Sequence, residues 1–137
     1  MTDGQHTIGR GRVATHSGER HTDRYGLLYL VDDSASSDRP HLVDLDLGEY
    51  AGRLGALYAE VVGPGLDVGG DEKASVGDVV RLGDGELFTE SAGRNSGVDV
   101  MGVGVQPTNG RETNWMDPMA LYRVRHRPVR LFFTPAD

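Results

Sequence analysis

The sequence predicts an all-β domain (or a β-rich α+β one), a small barrel or sandwich of six to seven short strands with one or two short helical turns. Three observations lead there. Short apolar runs recur along the chain and alternate with period two, as in HLVDLDL at 41–47 and VDVMGVGVQ at 98–106. Clusters rich in Gly, Asp, Ser and Pro separate those runs. Only one stretch, Asp117-Pro118 onward, carries a clear helix start.

The chain has 137 residues, a single-domain length at which roughly 68% of the unfolded surface can be buried. Residues 1–7 are polar and are expected to be disordered, leaving 8–137 as one domain. There is no cysteine, which excludes disulfides, thiolate metal sites and thiol nucleophiles. The first residues show no secretory pattern, and the longest apolar stretches fall far short of a membrane span. A soluble, cytoplasmic protein with no membrane contact is the expectation. Thirteen Arg against one Lys, with a single Ile, is the composition of a GC-rich coding sequence, as in a high-GC bacterium or its phage.

Net charge is −7, which disfavours general affinity for nucleic acid or anionic membranes. The distribution is uneven. Residues 1–122 carry ten bases and twenty acids, whereas 123–137 carry four arginines and one aspartate. The positive charge is therefore concentrated at one end of an acidic protein.

In order, Ile8–Thr15 reads as a short strand weakened by Gly9 and Gly11. His16–Arg24 is a polar turn region. Tyr25–Val31, aromatic and branched, is a strand, and 32–40 is a surface loop by composition. His41–Leu47 alternates and reads as a strand with Val43, Leu45 and Leu47 on one face. Gly48–Val62 fits both periods. Gly52 and Gly55 each cost a helix about 1 kcal/mol, so the reading leans to a helical turn at 48–53 followed by a strand. In that strand Leu54, Ala56, Tyr58 and Glu60 face one way and Leu57, Ala59 and Val61 the other. Gly63–Ser75 is a Gly-rich loop. Val76–Glu90 reads as a hairpin turning at Asp84-Gly85, and Ser91–Gly97 as a loop. Val98–Gln106 is a strand, and 107–114 a turn-rich loop.

Asp117 can cap a helix in which Pro118 takes the first position. One or two turns, Pro118–Tyr122, are expected. Arg123–Arg127 then alternates, with Val124 and His126 on one face and Arg123, Arg125 and Arg127 on the other. Pro128 marks an edge strand or a bulge, after which Val129, Leu131 and Phe133 resume the apolar face.

Familiar catalytic patterns are absent: there is no phosphate-binding Gly-rich loop ending in Lys, no His-Glu-x-x-His and no Gly-x-Ser-x-Gly. His16 and His21 with Glu19 and Asp23, and His41 with Asp44 and Asp46, are the nearest approaches to ligand clusters, and both read as solvated surface groups. The carboxylate pairs Asp32/Asp33, Asp71/Glu72 and Asp84/Glu86 read as solubilising charge. No catalytic residue, metal site or cofactor is assigned.

The candidate binding residues are Trp115, Tyr122, Arg123, Arg125, His126, Arg127 and Arg130. On a strand the first three arginines of this set would stand roughly 6.6–6.8 Å apart on one face. The leading functional reading is a non-catalytic β module working through protein contacts or self-association, since Arg is favoured at interfaces. The alternative is a barrel for single-stranded nucleic acid, with Trp115 and Tyr122 as stacking faces. The third is an enzyme with a dispersed, metal-dependent site. Against all three stands a plain structural role: pairing with the protein's own carboxylates, charge protection of an edge strand, and a Trp that closes one end of a core.

Overall fold

The computed structural model of the chain describes residues 5–15, 28–31, 45–64, 73–95, 98–106 and 116–136. Six strands dominate: β1 (His6–Thr15), β2 (Leu28–Val31), β3 (Leu54–Val61), β4 (Val79–Asn95), β5 (Val98–Gln106) and β6 (Pro128–Pro135). A single-turn 3-10 helix spans Gly48–Tyr50, and one α-helix, α1, spans Pro118–Val124. The strands pair in the order β1-β2-β5-β4-β3-β6, and β6 returns to β1, all antiparallel. Most of the wall is one strongly curled sheet, β5-β4-β3-β6-β1. The short β2 closes it, joined to β5 through a single registered pair, Leu28 with Val103.

Alternation sorts the side chains. On β3 the burial pattern follows the expected parity: Leu57, Ala59 and Val61 point in, and Leu54 and Glu60 point away. Val129, Leu131 and Phe133 of β6 are fully buried, as the resumed alternation predicts. With Leu82 and Leu87 of β4 and Val103 and Val105 of β5 they form one apolar core. No polar or charged side chain among the described residues is buried.

Two lids close the barrel. At one end α1 lowers Ala120, Leu121 and Val124 onto the core, preceded by Met116. At the other, Leu45, Leu47 and Tyr50 pack against it. Leu45–Leu47 is not a strand here, although half of the expected alternation survives. Both leucines turn inward, Asp46 is exposed, and the Asp46 N–H donates to the Ile8 carbonyl at 2.9 Å. After Gly48 the chain forms the expected helical turn, Gly48–Tyr50, and then the strand Leu54–Val61.

Three expectations are corrected. Asp84-Gly85 does not turn the chain, because β4 continues through it for 17 residues. Gly85 has φ 150°, a conformation that glycine adopts and other residues rarely do, and Ala56 and Gly55 of β3 pair with Asp84 and Gly85. At Glu86 the strand passes from one neighbour to the other, in register with both Leu54 and Gln106. A turn propensity worth about 1 kcal/mol loses to a ladder that continues along β3 through Asp84 and Gly85 and is taken up by β5 from Glu86. For the same reason 91–95 is not a loop but the second half of β4, paired with β5. Finally, β6 is not an edge. It lies between β1 and β3, and Pro128 opens it, where a missing N–H is tolerated.

Gly55 has a steric role. A Cβ there would strike the Thr134 carbonyl oxygen and the Phe133 ring and come within 2.9 Å of Pro135 Cα. The expected strand of 8–15 begins two residues earlier, at His6. The expected features at 16–24, 32–40, 41–44 and 107–114 lie outside the described residues.

Candidate functional site

The helix α1 starts as its sequence predicts. Asp117 accepts from the Met119 N–H at 3.0 Å, and Pro118 occupies the first turn. The helix then runs two residues further than expected and takes in Arg123 and Val124. Arg125 is its C-cap, donating its N–H to the Leu121 carbonyl, and the Arg127 N–H closes a turn on Val124. The segment 123–127 is therefore a helix end and a corner, not a strand. The expected arginine ladder does not form, because Val124 is drawn into the core as part of the helix lid, fully buried.

His126 sits in the corner with φ 70°, the one non-glycine residue of positive φ among those described. His is among the side chains that tolerate this region best. Two bonds to β1 hold the corner: His126 N–H to the Val13 carbonyl at 2.9 Å, and Val13 N–H to the Arg127 carbonyl at 3.0 Å. The corner thereby continues the β1–β6 ladder and brings Arg12 beside it, opposite Pro128.

Lys73, the chain's only lysine, completes the cluster from a distant segment. Its Nζ donates to the Tyr122 carbonyl at 2.8 Å and more weakly to the Arg125 carbonyl at 3.4 Å. It also stands 4.1 Å from the Tyr122 ring centroid. A cation on the last carbonyls of a helix complements its dipole. The neighbouring Ala74 ties the segment down, with its N–H on the Arg123 carbonyl at 2.9 Å and its own carbonyl accepting from Arg127 Nε at 3.0 Å.

Lys73, Arg125, His126, Arg127 and Arg12 thus form a compact cationic corner on an acidic protein. Burial, followed by the Arg125 and Arg127 charges, lowers the Lys73 pKa. Burial again comes first in lowering that of His126, followed by Arg125, Lys73, Arg12 and Arg127. Among the described residues no carboxylate lies within ion-pair distance of Lys73 or Arg125. Arg123 flanks the corner and reaches Asp78 at 4.0 Å.

Of the residues singled out in the sequence, Tyr122, Arg125, His126 and Arg127 come together, with Arg123 at the margin. Trp115 lies outside the described residues. Arg130 belongs to another face, where it bonds Glu60 at 3.0 Å, Thr7 at 3.0 Å and Gln5 at 3.1 Å and covers the Phe132 ring. Sequence reasoning missed Arg12 and Lys73. The rarity of lysine was a signal for the second; nothing local pointed to the first.

His6 is bonded to the Asp46 carbonyl and packs on Tyr50, and Asp84 pairs with Arg81. Among the described residues no three His, Asp or Glu side chains are grouped to hold a metal ion, and no helix is long and apolar enough to cross a membrane. His16, Glu19, His21, Asp23, His41 and Asp44 are outside the described residues. No protein-family model, curated protein or solved structure matches the chain.

Proposed function

We propose that this protein is a non-catalytic binding module that docks an acidic protein surface through the corner where α1 meets β6. The observation that carries this reading is the convergence of five basic groups in a protein of net charge −7, two of them, Lys73 and Arg125, with no carboxylate at hand among the described residues. Assembling like charges costs free energy, and an anionic partner recovers it. The corner is held by backbone bonds on both sides, so it is preorganised for such a partner.

Two other readings fit the geometry less well. Single-strand binding drew its support from arginines spaced along a strand, and that spacing is absent. The Tyr122 ring also has Lys73 against it. A lysine with a lowered pKa is a familiar nucleophile, but this Nζ donates to two backbone carbonyls, which favours the ammonium form. A cytoplasmic setting belongs to the same proposal, supported by a core that needs no disulfide.

The test is titration of labelled oligoglutamate, followed by fluorescence anisotropy in low and high salt. Binding that weakens with salt and is lost in Arg125→Glu is the expected result. No binding in low salt overturns the reading. Sedimentation at high protein concentration then distinguishes a second copy of this chain from a different partner: a monomer in both salts excludes the second copy.

A further inference from the structure

The cationic corner is one half of a larger surface. Among the described residues Val62, Val76 and Val79 are exposed by 50%, 60% and 54%. All three border one turn, Ser75–Asp78, on the barrel rim. Two hydrogen bonds close that turn: the Asp78 side chain accepts from the Ser75 N–H at 2.9 Å, and the Asp78 N–H returns to the Ser75 carbonyl at 2.9 Å. It is fastened to β3 by Gly77 N–H to the Val61 carbonyl and Val61 N–H to the Asp78 carbonyl, at 2.8 and 2.9 Å.

The same segment is fastened to the corner. Ala74 exchanges bonds with the Arg123 backbone and the Arg127 side chain, and Asp78 faces Arg123. Val62 donates its N–H to the Pro128 carbonyl at 2.9 Å, immediately after the corner. The valines and the cations therefore belong to one fixed surface at one end of the barrel. Nothing in the turn or the ladder requires aliphatic side chains at these outward positions, where polar residues would serve the fold equally well.

We infer that this composite surface captures a protein segment in which carboxylates alternate with aliphatic side chains. The inference rests on the proposed function and specifies its partner. Charge complementarity sets the first requirement, and the valines set the second. An anionic bilayer meets the first as well, but its extended surface also faces the acidic remainder of a chain of net charge −7, whereas a peptide segment meets the corner alone. A nucleic acid strand would find no apolar use for three valines, which offer no stacking face.

The test compares four probes by anisotropy or co-sedimentation: a labelled peptide alternating Glu and Leu, oligoglutamate of equal length, a thymidine oligonucleotide, and phosphatidylserine-containing vesicles. Covering two half-exposed valines predicts that the alternating peptide binds about tenfold more tightly than oligoglutamate. Val76→Ser with Val79→Ser removes that advantage and leaves oligoglutamate binding unchanged. Val76→Ser alone, in the turn and outside the sheet, reports the same loss in part should the double variant fold poorly. Equal affinity for the two peptides overturns the inference, as does preference for the oligonucleotide or the vesicles. If oligoglutamate still binds in an Arg125-dependent way, only this inference falls. If oligoglutamate fails to bind at all, the proposed function falls with it.

Discussion

Replacing Lys73 with Met tests whether this residue is a cap held by α1 or a charge held against its neighbours. Met keeps the aliphatic stem and deletes the ammonium. The deletion removes a charged hydrogen bond of 2.8 Å to the Tyr122 carbonyl, a weak one of 3.4 Å to the Arg125 carbonyl, and a cation over the Tyr122 ring at 4.1 Å. A hydrogen bond to a charged group contributes about 1.5–3 kcal/mol, and an exposed cation–π contact about 0.5–1 kcal/mol. Two effects oppose this: Lys73 is partly desolvated, and Arg125 and Arg127 repel it, which is why its pKa is lowered. Water also reaches the carbonyls once the ammonium is gone, since the site is only half-buried. The net expectation is a loss of about 1 kcal/mol, or roughly 3 °C in Tm for a domain of this size. Thermal unfolding by circular dichroism measures it, with Lys73→Arg as the variant that keeps the charge. A rise in Tm for Lys73→Met would refute the reasoning, because repulsion would then exceed the capping bonds.

Further predictions concern the fold and the corner. Gly55→Ala places a methyl group against backbone atoms of β6 that cannot move independently, so urea unfolding should show a loss of about 3 kcal/mol or failure to fold. Asp117→Ala removes the cap on Met119 and should cost about 1 kcal/mol in the same assay, whereas Asp117→Asn should cost less. Because the folded-state pKa of His126 is lowered, the unfolded chain holds more protons between that value and about 6.5. Stability contributed through His126 is therefore present above about pH 6.5 and is lost as pH falls through that window. An acidic ligand reverses the repulsion and raises the His126 pKa, so oligoglutamate should bind more tightly as pH falls from about 7 to about 6, above the range in which its own carboxylates take up protons. His126→Asn, which tolerates positive φ, should flatten both profiles; an unchanged binding profile would show that another group titrates.

Local physical chemistry determined a good deal. The Asp117-Pro118 pair specified where the helix begins, because capping involves only backbone groups one to three residues away. Alternation assigned the inward faces of β3 and β6, because a strand's side chains change sides at every residue whatever its partner. Tertiary structure decided the rest. Asp84-Gly85 is a turn signal read alone, yet pairing with Ala56 and Gly55 of β3 keeps β4 extended through it, before β5 takes up the ladder at Glu86. The alternation of 123–127 fits a strand, but burying Val124 beneath the helix lid is worth more than continuing the period. The site itself was half visible. Tyr122, Arg125, His126 and Arg127 lie in one short stretch of sequence, whereas Lys73 arrives from 49 residues away and Arg12 through a ladder with β6. Charge clustering across a barrel depends on which strands are neighbours, and that order follows from long-range pairing that no local pattern encodes.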